Sequence, residues 1–235
     1  MRARVAIGAA AVMGAAAAIV VALAWPHHHP QAVAAPPPTP RPQVVTSTSA
    51  PPGPPHEAVA PGAPTAFVMS GPAFTIKAHV CKMDFVLPLD PPGDQFHTVC
   101  WVKRKFGVAP GSDAAGTSYI LGHAWAEAKL VLNPLSEHAM TQVTGHHAVM
   151  DSGVPIYPVT NVDGYSIVLT VPHGRLTYKV TKAFAVSKEN AIKVRSIMTT
   201  SIPNRVVIIT CGVKNGQDID DNIIVYADLY SSVAT

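Results

Sequence analysis

From Ala66 to Thr235 the chain is a succession of short runs rich in β-branched and aromatic residues, cut at close intervals by Pro, Gly and Asp. That pattern restricts the fold more than any other feature. Such residues suit a pleated, half-buried surface, and the 3.6-residue periodicity of amphipathic helices is weak throughout. Strands are expected over 74–79, 98–103, 118–121, 165–171, 176–186, 206–210 and 223–226. Pro172-His173-Gly174-Arg175 between two of them reads as a hairpin loop. Two short helices are expected, over 133–140 and 188–197, the first with Asn133 as its cap and Pro134 at its opening position. Many short strands at close spacing, without an internal repeat, predict an all-β closed barrel or sandwich.

The first 65 residues differ in kind. Val5 to Ala24 is an uncharged stretch rich in Ala, Val and Ile, long enough to cross a bilayer as a helix. Arg2 and Arg4 precede it and no Lys or Arg follows until Arg41, so the N-terminus is expected in the cytoplasm and the remainder outside. The competing reading is a cleaved signal peptide, because Ala22-Leu23-Ala24 and Ala32-Val33-Ala34 resemble small-residue cleavage sites. The following stretch holds more than half of the 23 prolines and reads as an extended, disordered spacer reaching about 100 Å at full stretch. The expected organisation is a signal anchor or transmembrane helix over 1–25, a Pro-rich linker over 26–65 and a folded domain over 66–235. His27-His28-His29 reads as a solvated tract. A net charge of +3, 13% charged residues and no Lys/Arg run give no expectation of nucleic-acid binding.

An exported chain meets an oxidising compartment, which bears on its three cysteines, Cys81, Cys100 and Cys211. Cys81 and Cys100 fall on neighbouring strand-like segments, as a disulfide or as two buried thiols, and Cys211 is then the reactive candidate. Cys211 follows the apolar run Val206–Ile209 and precedes Gly212, an arrangement that presents a thiol at a barrel rim; the alternative is an ordinary buried cysteine. His123 follows Gly122 at the end of the 118–121 strand; as one of eleven histidines it can also be a surface residue satisfied by backbone. A thiol beside an imidazole is the minimal apparatus of thioester chemistry, since the imidazole takes the thiol proton and later delivers one to a leaving amine.

Thr117-Ser118-Tyr119-Ile120-Leu121-Gly122-His123 together with Ile208-Ile209-Thr210-Cys211 resembles the signature pair of the sortases, cysteine transpeptidases of the Gram-positive surface. Ala109-Pro110-Gly111 leading into the histidine motif, Val99-Cys100-Trp101, the 163–179 hairpin and Asp221-Asn222-Ile223-Ile224-Val225 are also similar, in the same order, over about 170 residues. The Thr-Cys-Gly step and the Asp-Asn-Ile-Ile-Val run look most like the actinobacterial class E and class F members. The resemblance implies an eight-stranded β-barrel and an attack by Cys211 on the Thr-Gly bond of an LPxTG-like or LAxTG-like sorting signal. His123 is then the acid/base partner, and an amine of a peptidoglycan precursor resolves the thioester. Implied partners are sorting-signal-bearing surface proteins and that precursor, with the N-terminal helix in the membrane; no cofactor or metal is expected.

The chain departs from the family at its third residue. Where the family carries an arginine after the cysteine, this sequence has Asn222, which donates a hydrogen bond without charge. Arg205 and Lys214 are the substitutes considered. Arg205, six residues before Cys211, lies roughly 20 Å away along an extended strand. Trp125 is a candidate for a substrate wall and 127–140 for an insertion or lid. The adjacent His146-His147 point to opposite faces of an extended chain, and Asp218, Asp220 and Asp221 read as a solvated turn. Two rival readings stand beside the transpeptidase: an impaired sortase-like binding domain, which Asn222 favours, and a cysteine hydrolase of the same substrates.

Overall fold

The computed structural model describes residues 53–103, 106–143 and 147–235. The expected anchor over 1–25, the linker up to residue 52 and His146 lie outside the described residues, among which no helix is long and apolar enough to cross a membrane.

Ten strands follow in chain order: β1 (Ala66–Ser70), β2 (Thr75–Met83), β3 (Thr98–Val102), β4 (Thr117–Leu121), β5 (Val149–Asp151), β6 (Val154–Val159), β7 (Ser166–Val171), β8 (Gly174–Ser187), β9 (Arg205–Lys214) and β10 (Gln217–Ala234). Their lateral order is β10-β9-β4-β3-β2-β1-β7-β8-β6-β5, and β10 also pairs with β8. That last pairing closes eight strands into a barrel, leaving β5 and β6 as a hairpin on the far end of β8. The eight-stranded closed barrel anticipated above is thus the fold, and closure removes the free edges an open sheet exposes. Two pairings are parallel, β2 with β3 and β4 with β9.

Alternation along the strands sorts side chains to two faces. Phe67, Met69, Ile120, Ile167, Leu169, Tyr178, Ile208, Ile223 and Val225 form the interior together with Leu132, Leu135, Ala139 and Met140 from helix α1 (Asn133–Val143) and the turn before it. Tyr119, Leu121, Val207, Ile224, Tyr226 and Phe184 face the other way, under a 3-10 turn (Ala191–Lys193) and the four-residue helix α2 (Arg195–Met198). These last two stand where one helix over 188–197 was expected. Asn133 is not a cap in the expected sense. Its Oδ1 accepts from the backbone of Trp125 and Leu130, so it ties the preceding turn to α1. Residues 55–65, assigned above to the linker, lie against the barrel: Glu57 donates to Ser232, Thr65 to Thr170, and Val59 is fully buried.

β2 and β3 pair with Cys81 opposite Cys100, and the two are joined by a disulfide. The bond closes the segment 84–97 into a loop at its base, the two cysteines standing at a sequence separation of 19. Closing a loop of that size restricts the unfolded chain by an amount worth about 3 kcal/mol. Thermal melts with and without dithiothreitol are expected to show a lower midpoint under reduction, and an unchanged midpoint would contradict the staple.

Candidate active site

The parallel register of β4 and β9 makes the site. Thr117 stands beside Arg205 and Leu121 beside Ile209, and Gly122 N–H donates to the Ile209 carbonyl at 3.3 Å. Two residues further along each strand come His123 and Cys211. Parallel neighbours lie about 4.8 Å apart, so the register brings the imidazole and the thiol to the same level of the sheet. Glycine at 122 suits this close packing, since a Cβ there would stand 2.7 Å from the Leu132 side chain and force it to shift.

β9 does not stop at Cys211, as the sequence reading had it. The strand runs on to Lys214 and turns at Asn215-Gly216, both in the left-handed region with φ of 52° and 70°, the geometry of a type I′ hairpin. β10 returns antiparallel with Asn222 opposite Cys211, after a bulge between Ile219 and Asn222. On its other edge β9 has outrun β4, which ends at Leu121, and Ser136 of α1 supplies the missing partners. Its hydroxyl donates to the Cys211 carbonyl at 2.7 Å and accepts from Val213 N–H at 2.8 Å. Sequence reasoning passed over Ser136 because nothing local to the helix marks it. Ser136→Ala would leave a buried N–H and a carbonyl unpaired, at a cost of about 1–3 kcal/mol. A fall of about 3–10 °C in melting temperature is the expected result.

His123, Cys211 and Asn222 line a common groove of about 250 Å³. Its floor comes from Tyr119, Leu121, Ile209 and Ile224, one wall from Ala191, Ile192, Ile197 and Met198, and the other from Phe85, Leu87, Pro88 and Leu89 of the 84–97 loop. This loop overhangs the histidine: Nε2 of His123 donates to the Pro91 carbonyl at 3.0 Å and lies 3.2 Å from Asp90 Oδ1. Both oxygens only accept, so Nε2 carries the proton in this arrangement. Cys211 is half-buried. Burial pushes its thiol pKa up, the charge of Lys188 acts to lower it, and Asp218 to raise it. Burial therefore favours the protonated thiol over the thiolate in this groove.

The other candidates lie elsewhere. Arg205 is buried at the opposite end of β9, with Nε donating to Thr117 Oγ1 at 3.1 Å and its guanidinium carbon 4.8 Å from the Tyr226 ring centroid. Lys214 closes β9 beside the hairpin turn, outside the groove lining, and Trp125 is 44% exposed and also outside it. The 127–140 segment is no lid, because Leu130, Val131, Leu132, Leu135 and Ala139 are all buried. Among the described residues no group of three or more His, Cys, Asp or Glu could hold a metal ion.

A family model described as the sortase domain matches residues 72–230. This chain belongs to the sortase family. No curated protein matches the chain. Among solved structures this sortase is similar to sortase A of Listeria monocytogenes at 14% identity, covering 74% of this chain and 91% of that one with a TM-score of 0.46. It is also similar to a lid mutant of sortase A from Corynebacterium diphtheriae, at 15% identity over 71% of this chain and 70% of that one, TM-score 0.44. A point variant of sortase E from Streptomyces avermitilis gives 15% identity over 74% of this chain and 93% of that one, TM-score 0.42.

Proposed function

We propose that this sortase is a membrane-anchored, extracytoplasmic cysteine transpeptidase that opens an LPxTG-like or LAxTG-like sorting signal and passes the acyl group to an amine of a cell-wall precursor. The convergence of Cys211 and His123 on one apolar groove, through the β4–β9 register, carries the reading. His123 takes the thiol proton, and the sulfur attacks the threonine carbonyl carbon. The carbonyl oxygen gains negative charge, the C–N bond to glycine breaks, and the imidazolium protonates the departing amine. The acceptor amine then attacks the thioester, gives its proton to His123 and releases the thiol. Placement of the domain outside the membrane rests on the apolar stretch Val5 to Ala24 and the arginines before it. The class E or F grouping rests on the residues around Cys211 and Asn222.

Asn222 favours a second reading, a domain that binds sorting signals without turning them over, because the residue opposite Cys211 brings no charge. Mass spectrometry of the full-length protein with LPxTG and LAxTG peptides, with and without an added amine, separates the readings. A Cys211 thioester and an amine-dependent product are expected. Cleavage to the free acid alone, unaffected by amine, would make the protein a hydrolase. Intact peptide with a folded protein would leave the binding domain.

A further inference from the structure

In the groove, attack by Cys211 places negative charge first on sulfur and then on a carbonyl oxygen, among mostly aliphatic and aromatic side chains. Uncompensated charge is costly in such surroundings. Among the described residues of the lining, the lysine or arginine is Lys188. It follows β8 directly. β8 runs antiparallel to β10 with Val186 opposite Asn222 and Ser187 opposite Asp221, and Lys188 N–H extends the ladder by donating to the Asp220 carbonyl at 3.1 Å. Because Asn222 also stands opposite Cys211, β10 carries the thiol on one flank and, two residues along at Asp220, the lysine on the other. Lys103, Lys182 and Lys193 all meet carboxylates within ion-pair distance, whereas Lys188 meets none among the described residues. Its charge acts on the Cys211 thiol and on the Asp221 carboxyl.

We propose that Lys188 supplies the positive charge for acyl transfer at Cys211, with the Asn222 amide supplying a hydrogen bond in place of a charged donor. The proposal rests on the acyl-transfer reading above and deepens it. The lysine acts on the thiolate and the oxyanion through space and opposes the effect of burial on the thiol. The other ionisable groups around the site are His123 at the end of β4, Asp90 on the overhanging loop, Lys214 at the end of β9, and Asp218, Asp220 and Asp221 on β10. Burial and, after it, Asp218 raise the thiol pKa, and Lys188 is the charge that opposes them; at Asp221 burial and then Asp220 raise the carboxyl, against Lys188 and Lys214.

Lys188→Met and Lys188→Arg in the full-length protein test this by two readouts. The first is steady-state transfer of a sorting peptide to an amine. Lys188→Met is expected to lower kcat about tenfold with KM within about twofold, and Lys188→Arg to stay within about threefold of the wild type. The second is the pH profile of Cys211 alkylation by iodoacetamide, a neutral reagent that needs no turnover. Its midpoint is expected to move to higher pH in Lys188→Met and to return in Lys188→Arg. Wild-type kcat together with an unmoved midpoint in Lys188→Met would overturn the proposal. A protein that turns over no peptide would defeat the transpeptidase reading, and the alkylation midpoint would still decide whether Lys188 acts on the thiol. Equal losses in Lys188→Met and Lys188→Arg, with the midpoint unmoved in both, would assign the residue a purely structural part and overturn the charge.

Discussion

Cys211→Ala is expected to abolish thioester formation and lower peptide turnover by about 10⁴-fold or more, while the melting temperature stays near that of the wild type. The thiol is half-buried and makes no side-chain hydrogen bond among the described residues, so removing its sulfur costs little packing. His123→Ala is expected to cost about 10²–10⁴-fold in kcat, because the buried thiol needs a base and the departing amine needs an acid. Burial raises the thiol pKa, so the thiolate is scarce at neutral pH and grows as pH rises. Iodoacetamide labelling of Cys211 should therefore accelerate with pH, with a midpoint above that of an ordinary cysteine. A midpoint below it would show a pre-formed thiolate and remove the reason His123 is needed as base. Cys211→Ala turnover within tenfold of wild type would move the nucleophile elsewhere.

The parts of this molecule legible in its sequence are those set by local pattern. The β-branched runs around Thr98, Ile167, Tyr178, Ile208 and Ile223 all became strands because alternation and bulk are local properties. β6 went unseen because Pro155 and Pro158 argue against a strand; it tolerates them because its first half pairs only with β5 and its second half only with β8. The extension of β9 past Cys211 was signalled by Asn215-Gly216, a strong hairpin dipeptide that the reading left unused. Long-range facts were another matter. The pairing of Ser118 with Val206 joins segments far apart in the chain, and no local periodicity encodes a parallel register. Juxtaposition of the histidine and the cysteine was therefore reached only through resemblance. Ser136 and Lys188 were missed for the same reason: one lies on a helix whose site-facing side is set by β9, and the other in a stretch read as helical that instead extends a ladder.

Arg205→Met should be a stability variant and not a catalytic one. Extended-strand distance already placed this arginine far from Cys211, and the fold shows what it does instead. Arg205 is 4% exposed, and its guanidinium donates to Thr117 Oγ1 and to the Thr199 carbonyl and packs over the Tyr226 ring. The Tyr226 hydroxyl meets Ser196 Oγ at 2.9 Å and Ser196 meets Asp151 at 3.0 Å, so one network links the end of β9 to α2 and the β5–β6 hairpin. Burial is the chief reason the Tyr226 phenol is pushed up to about 12, and it stays protonated to serve the network at any working pH. Methionine keeps much of the volume but removes the donors and the charge, which costs about 2–4 kcal/mol and lowers the melting temperature by about 5–15 °C. Since Thr199 follows Ile197 and Met198 of the groove wall, KM is expected to rise a few-fold at most, with kcat within about threefold of wild type below the melting transition. Thermal denaturation read beside the kinetics decides it. A hundredfold loss of kcat at unchanged melting temperature would make Arg205 the charge that serves Cys211, which its place at the far end of β9 does not allow.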